Sequence, residues 1–284
     1  MSESTHPKRR PSRGAYLLPS LITVGNIFLG FYALLEAVRG GMAGTAGGPH
    51  FDSAAKAIGW AILFDGWDGR VARMTGTTSD FGREFDSLAD VITFGIAPAI
   101  LAFLWGVAAV DPGNAGVFAE HIRRVGLFIS FLFLVCGAAR LARFNVQANP
   151  MPSNPGRPGK KYFVGLPIPA GAGVVAAVVH FVNGQPIELW GWPVMWLALV
   201  LGTALLMVST WRYWSFKDID FRRQRGFVNV VFIAALFGAI WLRSEEVLLL
   251  IAGTYAGSGV VFKLVHMFRR RRPQPELTPA ENAR

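Results

Sequence analysis

Long apolar stretches separated by short loops rich in glycine, proline and charge dominate the chain from residue 17 onward. A helix needs about 20 predominantly apolar residues to cross the hydrocarbon core of a bilayer. Eight stretches reach or approach that length: 17–38, 53–74, 85–107, 124–146, 165–182, 191–213, 227–242 and 246–268. The second is interrupted by Asp65, Asp68 and Arg70, and the seventh is short. The pattern predicts an all-α, polytopic membrane helix bundle of eight spans. A secretory signal has an apolar region of only about 7–15 residues. The first span is longer and has no close cleavage signal, so a retained helix is expected.

Basic residues orient the bundle, because cytoplasmic loops collect Lys and Arg. Lys8, Arg9, Arg10 and Arg13 precede the first span, and Arg269, Arg270, Arg271 and Arg272 follow the last. Loops after even-numbered spans carry Arg73, Arg83, Arg157, Lys160, Lys161, Lys217, Arg222, Arg223 and Arg225. The opposite side keeps Arg39, Lys56, Arg123, Arg124 and Arg243. Both termini are therefore predicted in the cytoplasm, with the chain in the inner membrane of a prokaryote. Residues 1–14 and 273–284 read as disordered tails.

Composition adds little that the pattern lacks. Only 16% of residues are charged, against about a quarter in soluble domains. The net charge of +10 lies in loops and tails, which fits a membrane surface and argues against nucleic acid. Cys136, the single cysteine, lies in an apolar run and reads as packing. His6, His50, His121, His180 and His266 form no metal-spaced pair, and none is assigned to catalysis.

Chemistry concentrates between the second and third spans, in FDGWDGRVARMTGTTSDFGREFDSLAD (64–90). Asp65 and Asp68, three apart, share one helix face, and Gly82, Asp86 and Asp90 make a stripe on the next helix. Such a hairpin can bring four carboxylates around one point. Each costs about 2.5–3.5 kcal/mol at the centre of a span, less near its mouth. Their mutual repulsion adds to that. Hard divalent cations such as Mg or Mn, bound by oxygen, are the natural remedy. Two ions would neutralise the cluster and suit displacement at phosphorus. Gly69, Ala72 and Gly76 remove bulk where a nucleotide would approach, and Arg73 offers a donor fork suited to phosphate.

The pattern Asp65-x2-Asp68-Gly69-x2-Ala72-Arg73-x8-Gly82-x3-Asp86-x3-Asp90 resembles the signature of the CDP-alcohol phosphotransferase family, without departure. The resemblance implies a homodimeric six-helix core, here 15–215, with 216–272 adding two C-terminal spans. It implies displacement of CMP from a CDP-linked lipid, with Asp65, Asp68 and Asp86 as metal ligands. Asp90 would be ligand, general base or both. Asp68, Gly69, Ala72, Arg73 and Gly82 would contact the cytidine diphosphate. The flanks SDFGREFDSLADVITFGIAPA (79–99), RLARFN (140–145), GLPIPA (165–170) and LMVSTWRYWSFK (206–217) resemble the membrane-embedded phosphatidylserine synthases of that family. Their substrates would be CDP-diacylglycerol and L-serine. Asp86 and Asp90 would carry catalysis.

Weaker leads surround this site. Arg140 and Arg143, three apart within the fourth span, point to a grip on the serine carboxylate or lipid phosphate. Anchoring by snorkelling side chains is the alternative. Asn145 and Lys161 join them as candidates. Asn26, a polar residue of the first span, reads most simply as an interhelical hydrogen bonder and alternatively as reaching the nucleotide. Competing functions are the same chemistry with glycerol 3-phosphate, inositol phosphate or choline as acceptor, and divalent-cation transport, where intramembrane acids also mark ion sites.

Overall fold

The computed structural model describes residues 17–75, 80–108, 116–148, 162–185, 191–214 and 226–270. Nearly all of them are helical. Helix α1 (Leu17–Ala43) passes through a short 3-10 turn into α2 (Gly48–Thr75). The third rod is compound: α3 (Asp80–Asp90), a π-helical stretch Val91–Ile96, α4 (Ala97–Phe103) and a second π stretch Leu104–Ala108. Then follow α5 (Gly116–Ala148), β1 (Tyr162–Val164), α6 (Ile168–Phe181), α7 (Trp192–Val208), β2 (Arg212–Trp214), α8 (Gly226–Leu242) and α9 (Ser244–Arg270).

Close approaches at glycines reveal how the rods run. Gly25 faces Phe64 and Gly40 abuts Phe51, so α1 and α2 form an antiparallel hairpin. Gly30 lies against Thr93 and Gly41 against Leu104, which makes the third rod parallel to α1. Gly95 meets Leu134 and Gly126 meets Val107, setting α5 antiparallel to that rod. Small residues let helix backbones approach in a bilayer, where no hydrophobic drive pulls helices together. The buried stripe of α1 illustrates it: Gly30, Ala33, Ala37 and Gly40 recur at helical spacing.

Among the described residues, four helical stretches are long and apolar enough to cross a membrane: Leu21–Trp67, Phe81–Ala108, Phe118–Val146 and Ser244–Lys263. The first contains both legs of the α1–α2 hairpin. Leu21, Phe28, Phe31, Phe128, Phe131 and Leu250 are exposed on the outer faces. Apolar surface on this scale fits an integral membrane protein.

Three sequence expectations change. Helix α5 begins at Gly116, eight residues before the predicted 124, because a hydropathy boundary misses polar helix. There the i,i+4 pair Glu120–Arg124, at 3.1 Å, supports a turn that needs no lipid. The sixth helix stops at Val208, not 213, and Arg212–Trp214 pairs antiparallel with Tyr162–Val164. The fold is thus all-α except for this two-stranded ribbon of aromatic and β-branched residues, which favour strand geometry. The predicted tails lie outside the described residues.

Candidate active site

Helix α2 carries Asp65 in its last third, and α3 carries Asp86 and Asp90 one turn apart. One carboxylate oxygen from each lies within 4.8 Å of the other two. Asp65 and Asp86 are half-buried and Asp90 is 9% exposed. Like charges so close and so shielded from water repel strongly. An all-oxygen, all-carboxylate donor set supplied by two helices fits a hard divalent cation. The expected convergence of acids is therefore present for these residues. Gly82 lies one turn before Asp86 on the same stripe and is half-buried.

Asp68, Gly69, Ala72 and Arg73 occupy the last turns of α2, and their side chains lie outside the described residues, as do Gly76 and Lys161 entirely. Immediately after Asp90 the helix widens into the π stretch Val91–Ile96. Such turns often mark functional sites. Here the widening turn holds Thr93, whose hydroxyl donates to the Asn26 carbonyl at 3.1 Å.

Arg140 and Arg143 of α5 part company. Arg143 directs its guanidinium at the carbonyls of Val208 (3.1 Å), Val164 (3.0 Å), Ser209 (3.3 Å) and Met207 (3.4 Å). Those are the carbonyls left open at the end of α7 and the exit of β1, and a basic side chain caps them. Gly165, at φ +80°, makes this possible: a Cβ there would strike Met207 O and the Arg143 Nη2. Arg143 thus ties α5 to the end of α7 and to β1 through main-chain carbonyls. Arg140 is 7% exposed, its guanidinium 5.4 Å from the centre of the Phe144 ring, within electrostatic reach of Asp90 and Tyr255. Asn145 donates to Ser87 Oγ at 2.7 Å, joining α5 to α3 beside an open groove of about 260 Å³ lined by Leu88, Val91 and Leu141.

Asn26 departs from its simpler reading. It is 1% exposed, yet among the described residues neither its Oδ1 nor its Nδ2 has a hydrogen-bond partner. Only its main-chain carbonyl makes the interhelical bond, to Thr93. Sequence reasoning also missed the chain Lys56–Asp52–His180–Ser244 at the other end of the bundle. Asp52 and Lys56, four apart, were its only local signal.

Acids from two helices, followed by a π turn, form at one end of the bundle a carboxylate cluster whose donor set fits a hard divalent cation. Residues 16–205 match the family described as CDP-alcohol phosphatidyltransferase, and the chain belongs to that family. Among relatives, the CDP-diacylglycerol–serine O-phosphatidyltransferase of Helicobacter pylori (strain ATCC 700392 / 26695) is 34% identical over 88% of this chain and 92% of its own. The protein of that name from Saccharomyces cerevisiae is 36% identical over 57% of this chain and 53% of its own. The archaetidylserine synthase of Methanothermobacter thermautotrophicus is 33% identical over 69% of each.

Proposed function

We propose that this protein transfers the phosphatidyl group of CDP-diacylglycerol to L-serine, giving phosphatidylserine and CMP. The observation that carries the chemistry is the convergence of Asp65, Asp86 and Asp90 inside the family's matched region. The acceptor follows from the relatives, whose names differ in the lipid and agree on serine.

A pair of Mg²⁺ or Mn²⁺ ions held by Asp65, Asp68, Asp86 and Asp90 would neutralise the diphosphate and the departing CMP. Asp90 takes the proton of the serine hydroxyl. The serine oxygen attacks the lipid-side phosphorus, a new P–O bond forms, and the bond to CMP breaks. Asp90 is the most buried of the three converging acids, which keeps bulk water from competing for that proton. Gly69, Ala72 and Gly82 leave room for the nucleotide, and Arg73 reaches its phosphates. Arg140, buried beside Asp90, suits the serine carboxylate or the lipid phosphate.

In this reading the helical rods make eight spans, the first six forming the catalytic core and α8–α9 the addition. Both termini and the site face the cytoplasm, the inner membrane holds the protein, and two copies form a homodimer.

The test is CMP release from CDP-diacylglycerol by the purified protein with Mg²⁺ or Mn²⁺, offered serine, glycerol 3-phosphate, inositol phosphate or choline. Release with serine alone, lost on chelation, is the expected result. Release with another acceptor overturns serine. No release with any acceptor, from protein that still binds metal, favours cation transport.

A further inference from the structure

Asn26 is a buried side chain whose hydrogen bonds remain to be made. An amide offers two N–H donors and an acceptor oxygen, and burial without partners is costly enough that native structures rarely tolerate it. Its position suggests what the cost serves. Toward the acid end the inner stripe of α1 carries Thr23 and Asn26, and it continues as Gly30, Ala33 and Ala37, with Glu36 buried toward the far end. Gly25, beside Asn26, faces Phe64, the neighbour of Asp65. The Asn26 carbonyl and Gly30 both meet Thr93, one turn past Asp90. Asn26 is therefore bracketed by the two elements that carry the converging carboxylates.

We propose that Asn26 is a substrate-positioning residue whose Nδ2 donates to a phosphate oxygen of the nucleotide–lipid diphosphate beside the carboxylate cluster. Carboxylates gather cations but cannot donate hydrogen bonds when ionised. A neutral donor level with the acids orients the anion without adding charge to the hydrocarbon. The hydroxyl of Thr93 holds the Asn26 backbone, so the amide is presented on a fixed helix. This inference rests on the proposed use of CDP-diacylglycerol.

The experiment compares wild type with Asn26→Leu and Asn26→Ala in detergent. It reads the ligand-free unfolding midpoint and the Kd for CDP-diacylglycerol and for CMP, each with Mg²⁺. Leu matches Asn in size and removes the orphaned amide, so the ligand-free midpoint of N26L holds or rises by about 2–4 °C. The Kd for CDP-diacylglycerol weakens by about 10–100-fold in both variants, as for loss of a hydrogen bond to a charged group. A matching loss for CMP places the contact on the nucleotide-side phosphate; a loss confined to CDP-diacylglycerol places it on the lipid side. Should both variants lose ligand-free stability and keep wild-type Kd values, the amide is structural and the inference is overturned. Unchanged stability with unchanged Kd overturns it equally. A wild-type protein that does not bind CDP-diacylglycerol defeats the proposed function as well, which separates the two failures.

Discussion

The two ends of the bundle handle buried acids in opposite ways. At the end far from the site, each acid is matched by a base from the chain. Glu36 accepts from Arg39 at 2.6 Å and lies 2.7 Å from His50. Asp52 pairs with Lys56 and His180, both at 2.6 Å, and His180 extends the chain to Ser244 at 2.9 Å. That chain links α2, α6 and the start of α9. At the site end, α2 and α3 aim Asp65, Asp86 and Asp90 at one another. Identical functional groups thus serve different purposes according to their neighbours. Acids paired with bases tie the structure together, whereas acids gathered at one point make a donor set that fits a divalent cation.

Substitutions should separate the two ends. The largest effect belongs to the gathered acids: Asp90→Asn or Asp86→Asn lowers CMP release by at least about 100-fold. Removing one of several repelling charges leaves the ligand-free unfolding midpoint unchanged or raised. A fall in midpoint with turnover retained would erase the distinction between the ends. The matched acids should behave in the opposite sense. His180→Leu leaves the Asp52 carboxylate short of a partner and costs about 1–3 kcal/mol of stability. Turnover per folded molecule remains at the wild-type level, read by denaturation and CMP release on the same sample.

Arg143→Met should fall in the second class despite lying near the site. Its carbonyl partners lose their shared donor, stability drops by about 1–2 kcal/mol, and KM for serine does not move. A raised KM for serine with stability intact would return Arg143 to the substrate. The smallest effect is expected at Arg39, whose side chain is 61% exposed. Arg39→Ala changes stability by less than about 1 kcal/mol, since exposed ion pairs contribute little.

Much of this was legible along the chain because helices are periodic. The spacing of Asp65 and Asp68, and of Gly82, Asp86 and Asp90, placed acids on facing stripes, and three of them meet in space as the hairpin required. Arg143 was harder. Three residues from Arg140, it invites the same role, yet its reach ends on carbonyls more than 60 positions away in α7. No local pattern announces where a distant helix will stop. The β1–β2 ribbon was hidden for the same reason: each strand is three residues long and gains meaning only from its partner.

Hydrophobic patterning by itself determined a bundle of apolar helices fit for a bilayer, and a short acidic signature pointed to the family and to the acids that converge in space. Both are local properties, readable within one span or one hairpin. Tertiary structure alone decided which polar side chains are satisfied. Asn26, Asp52, Arg143 and His180 look alike as isolated polar residues in or near apolar runs. Three of them find partners and one does not. That outcome depends on which helices become neighbours and how closely their glycines let them approach. Burial gives each such residue its consequence, because a hydrogen bond left unmade inside the bundle has no water to complete it.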